Sequence, residues 1–180
     1  MIIIGLDLSL TSTGVANITS GEIPTVSRIK SEGRKCDSWT KRHHRLVKHA
    51  GNVLDQIPAG VDLVVIEAPS YGSMTGSQHD RSGFWWMVYE SVSRIFHCQI
   101  LCVPPTTLKK YATGVGNAPK DKMLAETVRS FLVVPVTGND EADALQLAAL
   151  GARYLDIPVD GKKTAVQMSA FDAFVKTIQP

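Results

Sequence analysis

Two apolar runs in this chain close on an acid. Ile2-Ile3-Ile4-Gly5-Leu6-Asp7-Leu8 and Val61-Asp62-Leu63-Val64-Val65-Ile66-Glu67 are short and almost continuously apolar, which is the pattern of strands buried on both faces. An acid at the end of a buried strand is costly unless something uses it. Any fold for this chain must therefore bury both strands and still find employment for Asp7 and Glu67.

The remaining pattern supplies the partners for those strands. Gly14–Ile18 reads as a second strand in hairpin relation to the first, after the hydroxyl-rich turn Ser9–Thr13, and a third is expected around Thr25–Ile29. Asp37 or Ser38 can cap a helix with Trp39, Leu46, Val47, Ala50, Val53, Leu54 and Ile57 on its apolar side, ended by Pro58-Ala59-Gly60. Residues 68–83 form a small-residue loop. Residues 84–97 predict a helix that is apolar on more than one face, as expected for burial in a core or across a subunit interface. Gln99–Val103 is a fifth strand. Helices are expected over 106–113, 119–131 with Pro119 at its start, 139–155 with Asn139 or Asp140 as cap, and 164–178. The reading is an α/β fold, a mixed five-stranded sheet flanked by helices. The chain has 180 residues, the size of one domain, expected over 1–158 with a C-terminal tail over 159–180.

Charge is unevenly placed. Residues 28–48 hold eight Lys and Arg against Glu32 and Asp37, a local net of +6, whereas the whole chain carries +2. Such a block is either a solvated helix face or a surface for an anionic ligand. Cys36, Cys98 and Cys102 form no even disulfide framework and lack zinc-site spacing, so reduced thiols are expected. No uncharged apolar run approaches the ~20 residues of a membrane span, and the first residues lack a charged leader pattern. The expectation is an intracellular, cytoplasmic protein with no membrane partner.

A second pair of acids completes the pattern. Asp140 and Asp143 are three residues apart at a helix start and share a face, whereas Glu141, about 100° round, is expected to face solvent. Ala144, Leu147, Ala148 and Gly151 give that helix a small-residue surface able to lie close on a sheet, bringing the aspartates towards Asp7 and Glu67. Clustered carboxylates without His or Cys favour hard cations such as Mg²⁺ or Mn²⁺. Two such ions can activate a water and stabilise the leaving oxygen of a phosphodiester.

At this point the sequence resembles the RuvC-type Holliday-junction resolvases of the ribonuclease H-like superfamily. The resemblance runs from about residue 2 to 155. It rests on Ile4-Gly5-Leu6-Asp7-Leu8-Ser9, Ile66-Glu67, Gly114-Val115-Gly116-Asn117-Ala118-Pro119-Lys120 and Asp140-Glu141-Ala142-Asp143-Ala144. It implies Asp7, Glu67, Asp140 and Asp143 as metal-binding catalytic acids, and Lys120 and Lys109 as catalytic lysines beside the scissile strand. It further implies Mg²⁺, with Mn²⁺ as the alternative, two ions per site, and in-line attack of water leaving a 5′ phosphate. Where bacterial members carry a base-contacting Phe after the strand-end acid, this chain has Ala68-Pro69-Ser70-Tyr71-Gly72, so Tyr71 is the expected base-stacking residue. In this respect the chain is similar to divergent phage-encoded members, which places it in a prokaryotic or phage-infected host.

Branched DNA is the expected partner: four-way junctions, with flaps and forks as further candidates. Lys41, Arg42, Arg45 and Lys110 are the expected phosphate contacts, and a homodimer through residues 84–97 would match the two-fold symmetry of a junction. Asp7-Leu8-Ser9-Leu10-Thr11-Ser12-Thr13-Gly14 also resembles the first phosphate loop of actin-like kinases, but a second glycine-rich phosphate loop and a nucleotide-binding lobe are not found in the 180 residues. Two further alternatives stay open: another ribonuclease H-like nuclease, or a junction-binding protein without catalysis.

Overall fold

The computed structural model describes residues 1–69 and 77–178. Five strands form one sheet in the order β3-β2-β1-β4-β5. They are β1 (Ile2–Asp7), β2 (Ser12–Thr19), β3 (Thr25–Lys30), β4 (Leu63–Glu67) and β5 (Gln99–Val103). β1, β2 and β3 run antiparallel as a meander, whereas β4 lies parallel to β1 and β5 parallel to β4. The expected mixed five-stranded sheet is observed. The parallel half needs helical crossovers, and the chain supplies α1 (Trp39–Leu54) before β4 and α2 (Gln78–Phe96) before β5.

Alternation along the strands divides the interior in two. Ile3, Ala16, Ile18, Leu63, Val65, Leu101 and Val103 face one way, into a core completed by α3 (Pro105–Thr113), α4 (Lys120–Ser130) and α5 (Asn139–Tyr154). Ile4, Leu6, Val15, Val64 and Ile66 face the other way, against α1 and α2. The last helix, α6 (Ala165–Ile178), packs on α3, and its Phe174 enters the first core.

α5 carries the tightest packing in the molecule. From Ala144 to Ala152 every side chain is buried, and the helix backbone rests directly on the sheet. A Cβ at Gly5 would overlap the Ala144 carbonyl and the Ala148 amide, and one at Gly14 would overlap the carbonyl of Asp140. Gly151 makes the same close approach against Val65, where a Cβ would come within 2.6 Å of a methyl group. Removing three side chains thus lets a helix lie where ordinary residues would hold it away.

Local chemistry accounts for several differences from the sequence reading. α1 starts where expected, with Ser38 accepting from the Lys41 amide at 3.3 Å. α2 begins at Gln78 rather than 84, because its first turns are polar and carry no apolar periodicity; Asp80 there pairs with Arg42. The cap of α5 is Gly138, not Asn139 or Asp140. Glu141 does not face solvent: it is 7% exposed and accepts from the Thr137 amide (2.6 Å), the Thr137 hydroxyl (2.8 Å) and the Gly138 amide (3.1 Å). A glutamate at the third helical position reaching back to the cap amide is the one half of a capping box that a glycine cap, having no side chain, allows. That bond releases Asp140 from capping duty. Cys98 and Cys102 pack beside the α1–α2 core, and all three cysteines are free thiols.

The glycine contacts give a direct test. Gly5→Ala should lower stability in urea unfolding by about 3 kcal/mol, since an overpacked site can relieve itself only by moving α5. Gly51→Ala in α1, where a Cβ meets nothing within 4 Å, should instead raise it by ~0.5–1 kcal/mol.

Candidate active site

The sheet places the first two acids. β1 and β4 are parallel neighbours with Leu6 opposite Ile66, so the next residues, Asp7 and Glu67, end adjacent strands side by side. Their alternation parity is that of Ile3 and Leu63, which turns both towards α5. The glycine contacts then bring the first turns of α5 down onto the same strand ends. Asp140 and Asp143 stand in Coulombic range of Asp7, and Asp143 in that of Glu67.

Two lysines complete the group. Lys109, on α3, and Lys120, the first residue of α4 after Pro119, each oppose the charge of Glu67 and Asp143; Lys120 also opposes that of Asp7. The structure therefore brings together all six residues singled out as catalytic. Lys110, its neighbour on α3, turns away, towards a groove shared with α6 at Ala170 and Phe174. The two adjacent lysines serve different surfaces.

Burial and like charge act on the acids in the same direction. Burial, then Glu67, Asp143 and Asp140, hold the Asp7 carboxyl well above the ordinary range. Glu67 is pushed up to about 7, by burial first and Asp143 second. Asp143 is pushed up to about 6 by burial, with Lys120 and Lys109 pulling the other way. The protein thus gathers carboxylates faster than its own cations can neutralise them.

A divalent cation fits that deficit. Asp143 Oδ1 is buried and has no hydrogen-bond donor among the described residues, and the same holds for Asn139 Oδ1. Orphaned acceptors in an oxygen-only setting suit a hard cation. Among the described residues no three His, Cys, Asp or Glu side chains converge as a ready-made cage, so the acids are grouped without being closed onto one point.

Sequence reasoning did not anticipate several contacts around the acids. Ser12 donates from its hydroxyl to Asp140 Oδ2. Trp85, on α2, donates its indole N–H to the Glu67 carbonyl at 2.9 Å. Asp7 and Glu67 also open onto a cleft bordered by Leu8, Leu10, Arg81 and Trp85. Ser12 had a visible signal, its place in a hydroxyl-rich turn one strand away from Asp7; Trp85 had none beyond its apolar character.

The expected phosphate contacts are divided. Lys41 is exposed and shares a shallow depression with Lys30 and Arg34. Arg42 instead forms a two-point ion pair with Asp80 (2.6 and 3.0 Å) beneath Trp39. Arg45 turns inward to the Leu10 carbonyl and to the Ser31 hydroxyl at 3.0 Å. Tyr71 lies outside the described residues.

The sheet order, the helix laid across it and the carboxylates at its strand ends define a ribonuclease H-like domain. The chain is similar to RuvC-type Holliday-junction resolvases. It is 26% identical over 157 residues to the crossover junction endodeoxyribonuclease RuvC of Rickettsia bellii, covering 82% of this chain and 94% of that one. The corresponding protein of Rickettsia rickettsii is 27% identical over the same span and shares of both chains. Among solved structures, Thermus thermophilus RuvC matches with a TM-score of 0.61 at 16% identity, covering 87% of this chain and 98% of that chain. The same protein in complex with Holliday junction substrate matches at 0.60 and 15%, over 87% and 97%. No family model matches the chain.

The raised carboxyls predict a stability profile. In the unfolded chain Glu67 titrates near its ordinary 4.5, and in the fold near 7. Between these values the folded state holds the extra proton, so stability falls as pH rises through this window and stays low above it. Without divalent cations, Glu67→Gln should be more stable than the native protein at pH 8, by on the order of 2 kcal/mol after allowing for solvent screening. The two should match near pH 4. Urea unfolding at both pH values checks this.

Proposed function

We propose that the protein is a divalent-metal-dependent endonuclease that resolves four-way DNA junctions by phosphodiester hydrolysis. The observation that carries this reading is the grouping of Asp7, Glu67, Asp140 and Asp143, within electrostatic range of one another and of Lys109 and Lys120, at the carboxyl ends of β1 and β4. Relatives that span the same length are crossover junction endodeoxyribonucleases, and one solved relative is bound to a Holliday junction. An inactive binder would have no use for buried acids whose mutual repulsion destabilises the fold.

The four carboxylates would hold Mg²⁺ or Mn²⁺, two per site, supplying an activated water and charge neutralisation at the leaving 3′ oxygen. The remaining chemistry falls to the chain's own residues. Asp7 and Glu67 sit on rigid strands and Asp140 and Asp143 on the most tightly packed helix, so the acids keep their spacing as the phosphate enters. Lys109, half-buried, and Lys120, exposed, would place positive charge where the phosphate becomes more negative. Both lysines come from α3 and α4 rather than from the sheet.

The exposed cations Lys30, Arg34, Lys35, Lys41 and Lys48 are suited to gripping phosphates on the arms. Arg42 and Arg45 support that surface from beneath by fixing α1. A second copy docked through α2 would present two sites to opposed strands. Trp86 on that helix, 60% exposed, supplies apolar surface for it.

A nicking assay on a labelled four-way junction tests the whole reading, with linear duplex, flap and RNA–DNA hybrid alongside. Paired nicks on opposed strands are expected with Mg²⁺ or Mn²⁺ and none with EDTA. Asp143→Asn should reduce the rate at least 10³-fold and Lys120→Ala about 10²–10³-fold. Faster cutting of the hybrid would make the protein a different ribonuclease H-like nuclease, and binding without cutting under either metal would make it a structure-selective binder.

Salt separates the two classes of basic residue. Lys41→Ala should weaken junction binding and reduce the slope of log affinity against log salt by about one. Arg42→Ala should lower thermal stability first, through loss of the Asp80 pair. An unchanged slope for Lys41→Ala would remove that surface from the DNA contact.

A further inference from the structure

The hydroxyl-rich turn Ser9–Thr13 is a motif that the carboxylate cluster does not explain. Its bonds are mostly internal. The Thr13 hydroxyl donates to the Ser9 carbonyl at 3.0 Å and accepts from the Ser9 amide at 3.2 Å. His49, buried and stacked on Phe84, donates its Nε2–H to the same carbonyl at 2.9 Å. Arg45 closes over the Leu10 carbonyl. A turn used up in this way is a poor phosphate cradle, because the groups that would receive an anion are already bonded.

Ser12 departs from this pattern. Its hydroxyl leaves the turn and donates to Asp140 Oδ2. Two residues further along β2, Gly14 lets the Asp140 carbonyl lie against the strand. The main chain and the side chain of one acid are thus registered on the same strand, and the turn that leads into that strand is braced by His49 and Arg45.

We infer that Ser12 is a positioning residue for metal binding: it holds one oxygen of Asp140 so that the other stays directed into the carboxylate group. This rests on the nuclease reading for its purpose, but not for its geometry. A free aspartate in the first turn of a helix has several staggered rotamers and can swing towards unpaired backbone amides. Glu141 takes the amides of Thr137 and Gly138, and Ser12 selects among the rotamers open to Asp140. Hydrogen-bond partners of metal-binding carboxylates are typically worth 10–100-fold in metal affinity. A single neutral hydroxyl on one of four acids belongs at the lower end of that range.

The test is calorimetric titration of Mn²⁺ into the full-length protein, carried out on the native chain, Ser12→Ala and Ser12→Thr, with thermal melting to establish folding. Ser12→Ala should bind Mn²⁺ about ten-fold more weakly, and Ser12→Thr, which keeps the hydroxyl, should stay within about three-fold of native. In junction cleavage the half-saturating Mg²⁺ should rise in parallel for Ser12→Ala, while kcat at saturating metal and KM for the junction stay close to native. Native-like Mn²⁺ binding by Ser12→Ala overturns the inference, and so does equal weakening in Ser12→Thr. A native protein that binds Mn²⁺ in a Ser12-dependent way but cuts no junction leaves this inference standing and overturns the nuclease reading instead. A native protein that binds no Mn²⁺ overturns both.

Discussion

The backbone contact between α5 and the sheet governs the rest of the structure. Where Gly5 and Gly14 lack side chains, the helix main chain takes their place, and the height of Asp140 and Asp143 above Asp7 and Glu67 follows. Dispersion and apolar burial along Ala144, Leu147, Ala148 and Gly151 supply the attraction. Coulomb repulsion among the four acids opposes it. The core is therefore what forces like charges together, and the shortfall of positive charge at the strand ends results from packing.

This opposition of forces also explains the arrangement around the acids. The lysines do not form close ion pairs with them; they act at range from two separate helices, lowering the cost without saturating the carboxylate oxygens. Glu141, whose Oε2 accepts from two backbone amides and a hydroxyl, sits in the midst of the others and does different work. It anchors the start of α5 through Thr137 and Gly138. Neighbouring acids in Asp140-Glu141-Ala142-Asp143 are thus divided between structure and chemistry by a rotation of about 100° per residue.

The sheet and the grouping of the four acids could be read from the residues because both rest on periodicity. Period-two burial in Ile2–Asp7 and Leu63–Glu67 determines which way the terminal acids point, and the three-residue spacing of Asp140 and Asp143 puts them on one helix face. What escaped was set by contacts between segments distant in sequence. Glu141 seemed solvent-facing because its angle on the helix says nothing about a side chain curling back onto its own cap. Arg42 and Arg45 looked like surface cations because neither Asp80 nor the Ser31 and Leu10 oxygens are near them in the chain. The early start of α2 was hidden by its polar first turns, which gain their helical reason only from the pairing of Asp80 with α1.

Trp85 and Trp86 are consecutive in sequence yet differ sharply in burial. Trp85 is buried and bonded to the carbonyl of Glu67, and Trp86 stands largely in solvent with its ring set edge-on to its neighbour's at 4.9 Å. Between the outer apolar flank of α2 and the strand that ends in Glu67 there is thus a thickness of two indole rings. A body seated on that flank would lie closer to the chemistry than the length of α2 suggests, and any shift of the outer ring would be felt by the inner one.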